Sequence, residues 1–147
     1  MLKLNRDFKE FIESLNKNNV KYLVVGGYAV AIHGHPRYTK DLDIWIAKEP
    51  ENAANLVHAL HDFGFGSLGL EAGDFLKPDQ VIQLGEPPLR IDLLTSVEGL
   101  EFESCYPRRL CVNIEGTQVN FIDLENLKTN KRSVGRPQDL ADLQNLE

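Results

Sequence analysis

The chain has 147 residues, 42% of them hydrophobic and 26% charged, with a formal net charge of −6. That length suits one domain spanning residues 1–147, able to bury roughly 70% of its unfolded surface, and the ordinary apolar content excludes a disordered or fibrous protein. The acidic balance argues against broad nucleic-acid binding, and no apolar run approaches the ~20 residues that span a bilayer.

The first stretch, MLKLNRDFKEF, carries charges among its apolar positions. It therefore reads as an amphipathic helix and not as a signal peptide, and a cytoplasmic protein without a membrane partner is expected. Leu4, Phe8, Phe11, Ile12 and Leu15 recur at helical spacing, which predicts a helix over residues 5 to 18. Tyr22 to Val25 is a buried strand. Gly26-Gly27 follows, then one or two helical turns from Tyr28 to His33, then a turn at Gly34-His35-Pro36.

Leu42 to Ala47 reads as the second strand. Pro50 is well placed to open a helix whose apolar face is Leu56, Val57, Leu60 and Phe63. Gly64 to Gly73 reads as loop. Val81 to Leu84, Leu89 to Thr95, Leu110 to Ile114 and Val119 to Ile122 read as strands, the last two joined by a hairpin at Glu115-Gly116-Thr117. Asp123 can cap a helix from Leu124, and Pro137 to Leu146 is a final helix with Leu140, Leu143 and Leu146 at spacing three. The expected class is α/β (α+β), a mixed, mostly antiparallel central sheet flanked by helices.

The segment from Gly26 to Asp43 carries the chemistry. Two adjacent glycines let the backbone approach phosphate oxygens, and the helix start behind them points free N–H groups the same way. Asp41 and Asp43 stand two apart at a strand start, so both carboxylates share one face while Leu42, Ile44 and Ile46 take the other. Two carboxylates about 5 Å apart repel by on the order of 3 kcal/mol at an effective dielectric of 20. A divalent cation turns that repulsion into coordination, and all-oxygen ligands suit Mg²⁺ or Mn²⁺ rather than zinc. Arg37 and Thr39 flank the pair. Arg37 reads either as a phosphate contact or as a salt bridge to a neighbouring acid.

Gly-Gly-Tyr-Ala-Val…Gly-His-x-Arg-x-Thr-x-Asp-Leu-Asp resembles the polymerase-beta-type nucleotidyltransferase superfamily, in particular its small bacterial branch that includes abortive-infection-type toxins. The resemblance implies the nucleotidyltransferase fold. It also implies transfer of a nucleoside monophosphate from a nucleoside triphosphate to an acceptor hydroxyl, with Mg²⁺ held by Asp41 and Asp43. The superfamily has a third acid on a later strand, and Asp92 in Arg90-Ile91-Asp92-Leu93-Leu94 matches it. By the same resemblance Asp92 is a metal ligand that also orients or deprotonates the attacking group. Gly26, Gly27, Arg37 and Thr39 would then meet the nucleotide. Gly27 stands where many superfamily members carry Ser.

Residues 131 to 143, KRSVGRPQDLADL, resemble the ending of that same branch. Lys131 and Arg136 are phosphate candidates on this basis. Asp139 and Asp142, one turn apart, could pair with them, while an acid in a first helical turn is also ordinary dipole compensation. Six basic residues between Ser104 and Pro137 (Arg108, Arg109, Lys128, Lys131, Arg132, Arg136) face three acids, a local basic wall that reads first as a solvated face. His33-x-His35 and His58-x-x-His61 lack the further ligands a zinc site needs, Trp45 reads as core, and Cys105 and Cys111 read as reduced thiols. The acceptor stays open among tRNA, protein and a small molecule. Two other functions remain open: a catalytically silent nucleotide- or partner-binding half of a toxin–antitoxin-type pair, and a metal-dependent phosphohydrolase.

Overall fold

Tyr22–Val25, an unbroken apolar run, forms β1 and is buried at every position. It lies inside a six-stranded sheet in a computed structural model that describes residues 4–34, 39–85 and 90–146. The other strands are β2 (Leu42–Ile46), β3 (Val81–Leu84), β4 (Ile91–Leu94), β5 (Leu110–Ile114) and β6 (Thr117–Phe121), in the order β3-β4-β2-β1-β6-β5. β1 runs antiparallel to β2 and parallel to β6. β2 runs parallel to β4, and the edge pairs β3/β4 and β5/β6 are antiparallel. The expected mixed sheet with helices around it is therefore the observed architecture. Arg37 lies outside the described residues, as do His35 and Leu89.

Among the described residues six α-helices flank the sheet: α1 (Arg6–Lys17), α2 (Gly26–Ile32), α3 (Pro50–Asp62), α4 (Phe102–Cys105), α5 (Leu124–Val134) and α6 (Pro137–Leu146). None of the described helices is long and apolar enough to cross a membrane. Asn5 caps α1 by accepting from the Asp7 amide at 2.8 Å. The stripe Phe8, Phe11, Ile12 and Leu15 is buried, and Phe11 meets Phe63 edge to face at 5.2 Å. Leu42, Ile44 and Ile46 are each 0% exposed. Burying each such side chain contributes about 1.5–3 kcal/mol, so the apolar face of β2 holds the centre of the sheet together. Asn52 ties the far end of the β1/β2 pair: it accepts from the Lys21 amide at 2.6 Å and donates to the Lys21 and Ala47 carbonyls at 3.1 and 3.0 Å.

Three expectations change. The hairpin turn is the two-residue Glu115-Gly116, with φ of 50° and 91°, so β6 starts at Thr117. Positive φ at both turn residues matches the right-handed twist of the strands it joins. The glycine-rich loop contains a 3₁₀ turn at Gly66–Leu68, and α4 leads into another at Tyr106–Arg108. Elements of three or four residues are too short to leave a periodic trace.

The largest correction concerns α6. Its three leucines do not share one buried face, since Leu140 is 52% exposed and Leu146 packs against the core, while Asp139 and Asp142 are 1% exposed. Lys131, on α5, is buried too, and its Nζ donates to Asp139 Oδ1 at 3.2 Å and Asp142 Oδ2 at 3.0 Å. Arg136 Nε donates to Asp139 Oδ2 at 2.6 Å, and Gln138 Nε2 to Asp142 Oδ1 at 2.9 Å. The Arg136 hydrogen bond, with Lys131 beside it, holds the Asp139 carboxyl below its ordinary range. α6 is therefore docked on α5 by an ion cluster. Removing one member of a buried cluster strands the others, at a cost of about 3–5 kcal/mol. Lys131→Met is expected to lower the unfolding free energy measured in urea by that amount, whereas Leu140→Ala changes it little. A lowered Asp139 carboxyl stabilises the fold above about pH 4 and less as pH falls below that. Asp139→Asn is expected to blunt the acid limb of the melting curve below about pH 4.

Candidate active site

The parallel β2/β4 register pairs Leu42 with Ile91, Asp43 with Asp92 and Ile44 with Leu93. Paired strands run about 4.8 Å apart, so the Asp43 and Asp92 side chains rise side by side on the face opposite the core. Asp41 stands one residue before β2. The Leu42 amide donates to the Arg90 carbonyl at 3.0 Å, which holds the entrance to β2 against the entrance to β4. Asp92 is 8% exposed. The Asp43 carboxyl is pushed up to about 7, first by burial and then by the charges of Asp92 and Asp41, while Arg90 pulls it back. Asp43 also shares a side-chain hydrogen bond with Asp92. The three expected acids are brought together.

Arg90 was not singled out from the sequence and belongs to this group. Its Nη2 donates to Asp41 Oδ2 at 2.9 Å and Asp92 Oδ2 at 3.3 Å, and its Nε to Asp92 Oδ1 at 3.1 Å. Like-charged carboxylates at this spacing cost on the order of 3 kcal/mol, and the guanidinium offsets part of that cost. The signal was available: Arg90-x-Asp92 is a same-face pair on a strand. Among the described residues, no three acidic, His or Cys side chains are placed to hold a metal ion. The donor set nevertheless fits a hard divalent cation in its chemistry, because a shared cation, the guanidinium, already lies on two of the three carboxylates.

Gly26 opens α2 with φ +68°, and a Cβ there would strike an Asp43 carboxylate oxygen and stand 3.1 Å from its Cγ. Glycine is thus required by both conformation and the approach of β2. Tyr28 in α2 donates to the Thr39 carbonyl at 3.4 Å, tying the segment before Asp41 to the helix.

A cavity of about 210 Å³ brings Gly26 and Asp43 next to Lys131 and Arg136, with Glu98 and Asn130 also on its wall. Lys131 reaches this cavity already committed to Asp139 and Asp142. Of the other basic residues, Arg108 pairs with Asp123 at 3.6 Å, Lys128 with Glu125 at 4.0 Å, and Arg109 stacks over Tyr106. A ring nitrogen of His33 lies 2.7 Å from the Ile122 carbonyl, and Trp45 is buried edge-on to Phe102 at 5.2 Å. Cys105 and Cys111 are free thiols.

The raised Asp43 carboxyl has a definite sign. Between its unfolded value near 3.9 and about 7, the folded protein binds the extra proton, so its contribution to stability falls as pH rises through that window. Asp43→Asn removes the penalty. The variant is expected to be more stable than the parent at pH 8 by on the order of 2 kcal/mol and equal to it near pH 4, measured by calorimetry in EDTA. Parallel curves across the window would contradict this.

A family model described as "Nucleotidyltransferase of unknown function (DUF6036)" matches residues 2–147. No curated protein matches the sequence. Several solved structures share the fold. TM1012 from Thermotoga maritima, assigned as a nucleotidyltransferase, superposes with a TM-score of 0.63 at 15% identity, over 95% of this chain and 89% of that one. ANT(2″)-Ia in complex with adenylyl-2″-tobramycin gives a TM-score of 0.56 at 13% identity, over 95% and 84%. The lincosamide antibiotic adenylyltransferase LnuA, lincomycin-bound, gives 0.54 at 13% identity, over 98% and 96%. With acids from two strands meeting beside a glycine-opened helix, and a family model matched along nearly its whole length, the chain belongs to the nucleotidyltransferase family of unknown function, within the nucleotidyltransferase superfamily.

Proposed function

We propose that this chain is a metal-dependent nucleotidyltransferase, acting as one cytoplasmic domain over residues 1–147. The observation that carries it is the in-register pairing of Asp43 with Asp92 beside Asp41 around a shared guanidinium. Mg²⁺ or Mn²⁺, held by Asp41, Asp43 and Asp92, would supply charge neutralisation at the polyphosphate. Asp92 accepts the proton of the acceptor hydroxyl. The hydroxyl oxygen bonds to the α-phosphorus, the bond from that phosphorus to the bridging oxygen breaks, and pyrophosphate leaves. Arg90 must release Asp41 and Asp92 for these roles, and once released its guanidinium is free to meet phosphate oxygen. Gly26 and Gly27 bring the backbone up to the same place, with Arg37 and Thr39 on the segment leading to Asp41. Arg136 is exposed on the cavity rim and suits a phosphate, whereas Lys131 contributes through the cluster that positions α5 and α6. The adenylyltransferase neighbours support ATP as a donor and a small molecule as an acceptor.

A second reading has one observation behind it. An arginine seated on two acids can act as a permanent internal counter-ion, which would suit a silent binding module of a toxin–antitoxin-type pair.

Labelled nucleoside triphosphates incubated with cell extract and Mg²⁺ separate the two. Label is expected in an acceptor with the parent protein and reduced about 10³-fold or more with Asp41→Ala or Asp92→Asn. Tight complex formation without label transfer favours the module. Arg90→Gln leaves Asp41 and Asp92 without their shared guanidinium. In EDTA it is expected to lose about 1–3 kcal/mol of stability, and Mn²⁺, followed by its electron paramagnetic resonance signal, is expected to bind more tightly than to the parent.

A further inference from the structure

The sheet face that carries the acids is closed on one side of them and exposed on the other. Directly paired residues share a face, so β3 extends the row of acids by one strand: Gln83 pairs with Asp92 as Asp92 pairs with Asp43. The next row is Val81, Leu94 and Trp45. Ile82 and Leu84 turn to the opposite face, level with Leu93 and Ile91. On the β1 and β2 side the acid-bearing face is covered, with Leu23, Val25 and Trp45 buried. On β3, an edge strand, Gln83 is exposed and Val81 is 56% exposed.

Asp92 therefore has unlike neighbours across its two flanks, Asp43 on β2 and Gln83 on β3, each strand about 4.8 Å from β4. Among the described residues the Gln83 carboxamide has no hydrogen-bond partner. A polar residue on an edge strand is ordinary by itself. The direction of the chemistry gives this one a role. Displacement at phosphorus runs roughly in line, with the entering and leaving oxygens on opposite sides. Gly26, Lys131 and Arg136 gather at the cavity on the β1 side of Asp43. With the polyphosphate on that side, the entering hydroxyl has to come from the other, over β4 and β3. Asp92, Gln83 and Val81 stand on that approach, and the last two are exposed along it.

We infer that the acceptor enters over β3 and that Gln83 is a residue that selects it. The Gln83 carboxamide hydrogen-bonds a polar group beside the reacting hydroxyl, and Val81 with Leu94 meets an apolar part of the same molecule. The hydroxyl proton passes to Asp92, the hydroxyl oxygen bonds to the α-phosphorus, and pyrophosphate leaves on the side of Gly26 and Arg136. The acceptor is thus a molecule with an apolar surface next to its hydroxyl. The inference rests on the nucleotidyl-transfer reading, and its failure is distinguishable from failure of that reading.

The test uses the whole chain and thiol chemistry. Cys111 is exposed on β5, at the opposite edge of the sheet, and Cys105 is buried. A bulky maleimide on Cys111 of the parent is the control. The same tag is placed on Cys111→Ser/Gln83→Cys and on Cys111→Ser/Val81→Cys, each checked for folding by its melting curve. The probes are labelled nucleoside triphosphates with Mg²⁺ and cell extract. Either tag on β3 is expected to cut label transfer about tenfold or more, while nucleotide binding by equilibrium dialysis stays within about twofold of the parent. The Cys111 tag is expected to change neither. Untagged Gln83→Ala is expected to raise the amount of extract that gives half-maximal transfer about fivefold, with the maximal rate changed less. Transfer at the parent rate with either β3 position tagged overturns the inference and leaves nucleotidyl transfer standing, and so does equal loss with the Cys111 tag. Unchanged half-saturation in Gln83→Ala overturns the role of Gln83. Loss of nucleotide binding on tagging β3 assigns the flank to the nucleotide and overturns the inference. A dimer in solution that the Val81 tag splits assigns it to a second copy, with the same result. No transfer by the parent overturns the transferase reading and this inference together.

Discussion

The hydrogen-bonded register between β2 and β4 is the constraint on which the site depends. It sets Asp43 against Asp92 on one face of the sheet because it sets Ile44 against Leu93, and Leu42 against Ile91, on the other. A slip by one residue would drive the acids into the core and the isoleucines into water. The hydrophobic effect therefore holds the carboxylates where electrostatics alone would separate them. The cost is visible in the raised Asp43 carboxyl and in the guanidinium of Arg90 bridging its neighbours. Such local frustration, maintained by a well-packed opposite face, is the usual mark of a site built to take up charge.

Charge is handled differently on the C-terminal side. There Lys131, Asp139 and Asp142 are buried together and satisfy one another, with Arg136 and Gln138 completing the network. The two arrangements meet at the small cavity between Gly26 and Arg136. A satisfied cluster on one side fixes α5 and α6, and on the other three crowded acids share one guanidinium. Rigid support beside an electrostatically unsettled centre is what positional catalysis of phosphoryl transfer requires.

The chain's net charge of −6 is unevenly spread. Basic residues that might have formed a broad nucleic-acid face are mostly taken up: Arg108 by Asp123, Lys128 by Glu125, Arg109 by Tyr106. What is left is a site whose charges are local.

The sequence by itself determined the strands and most of the helices, and it singled out three acids that the β2/β4 register brings together. Alternation along β2 assigned Asp41 and Asp43 to one face before any partner strand was known, and the turn from β1 into α2 followed from Gly26-Gly27. It also led to the family, because a glycine pair and spaced acids between apolar runs form a local pattern. Only the tertiary structure decided that Arg90 reaches across to Asp41, that α6 turns Asp139 and Asp142 inward and Leu140 outward, and that Trp45 borders a cavity. Each of these depends on which chain segment lies opposite. Local periodicity encodes which face a residue takes, but the partner on that face is set by packing between segments far apart in sequence.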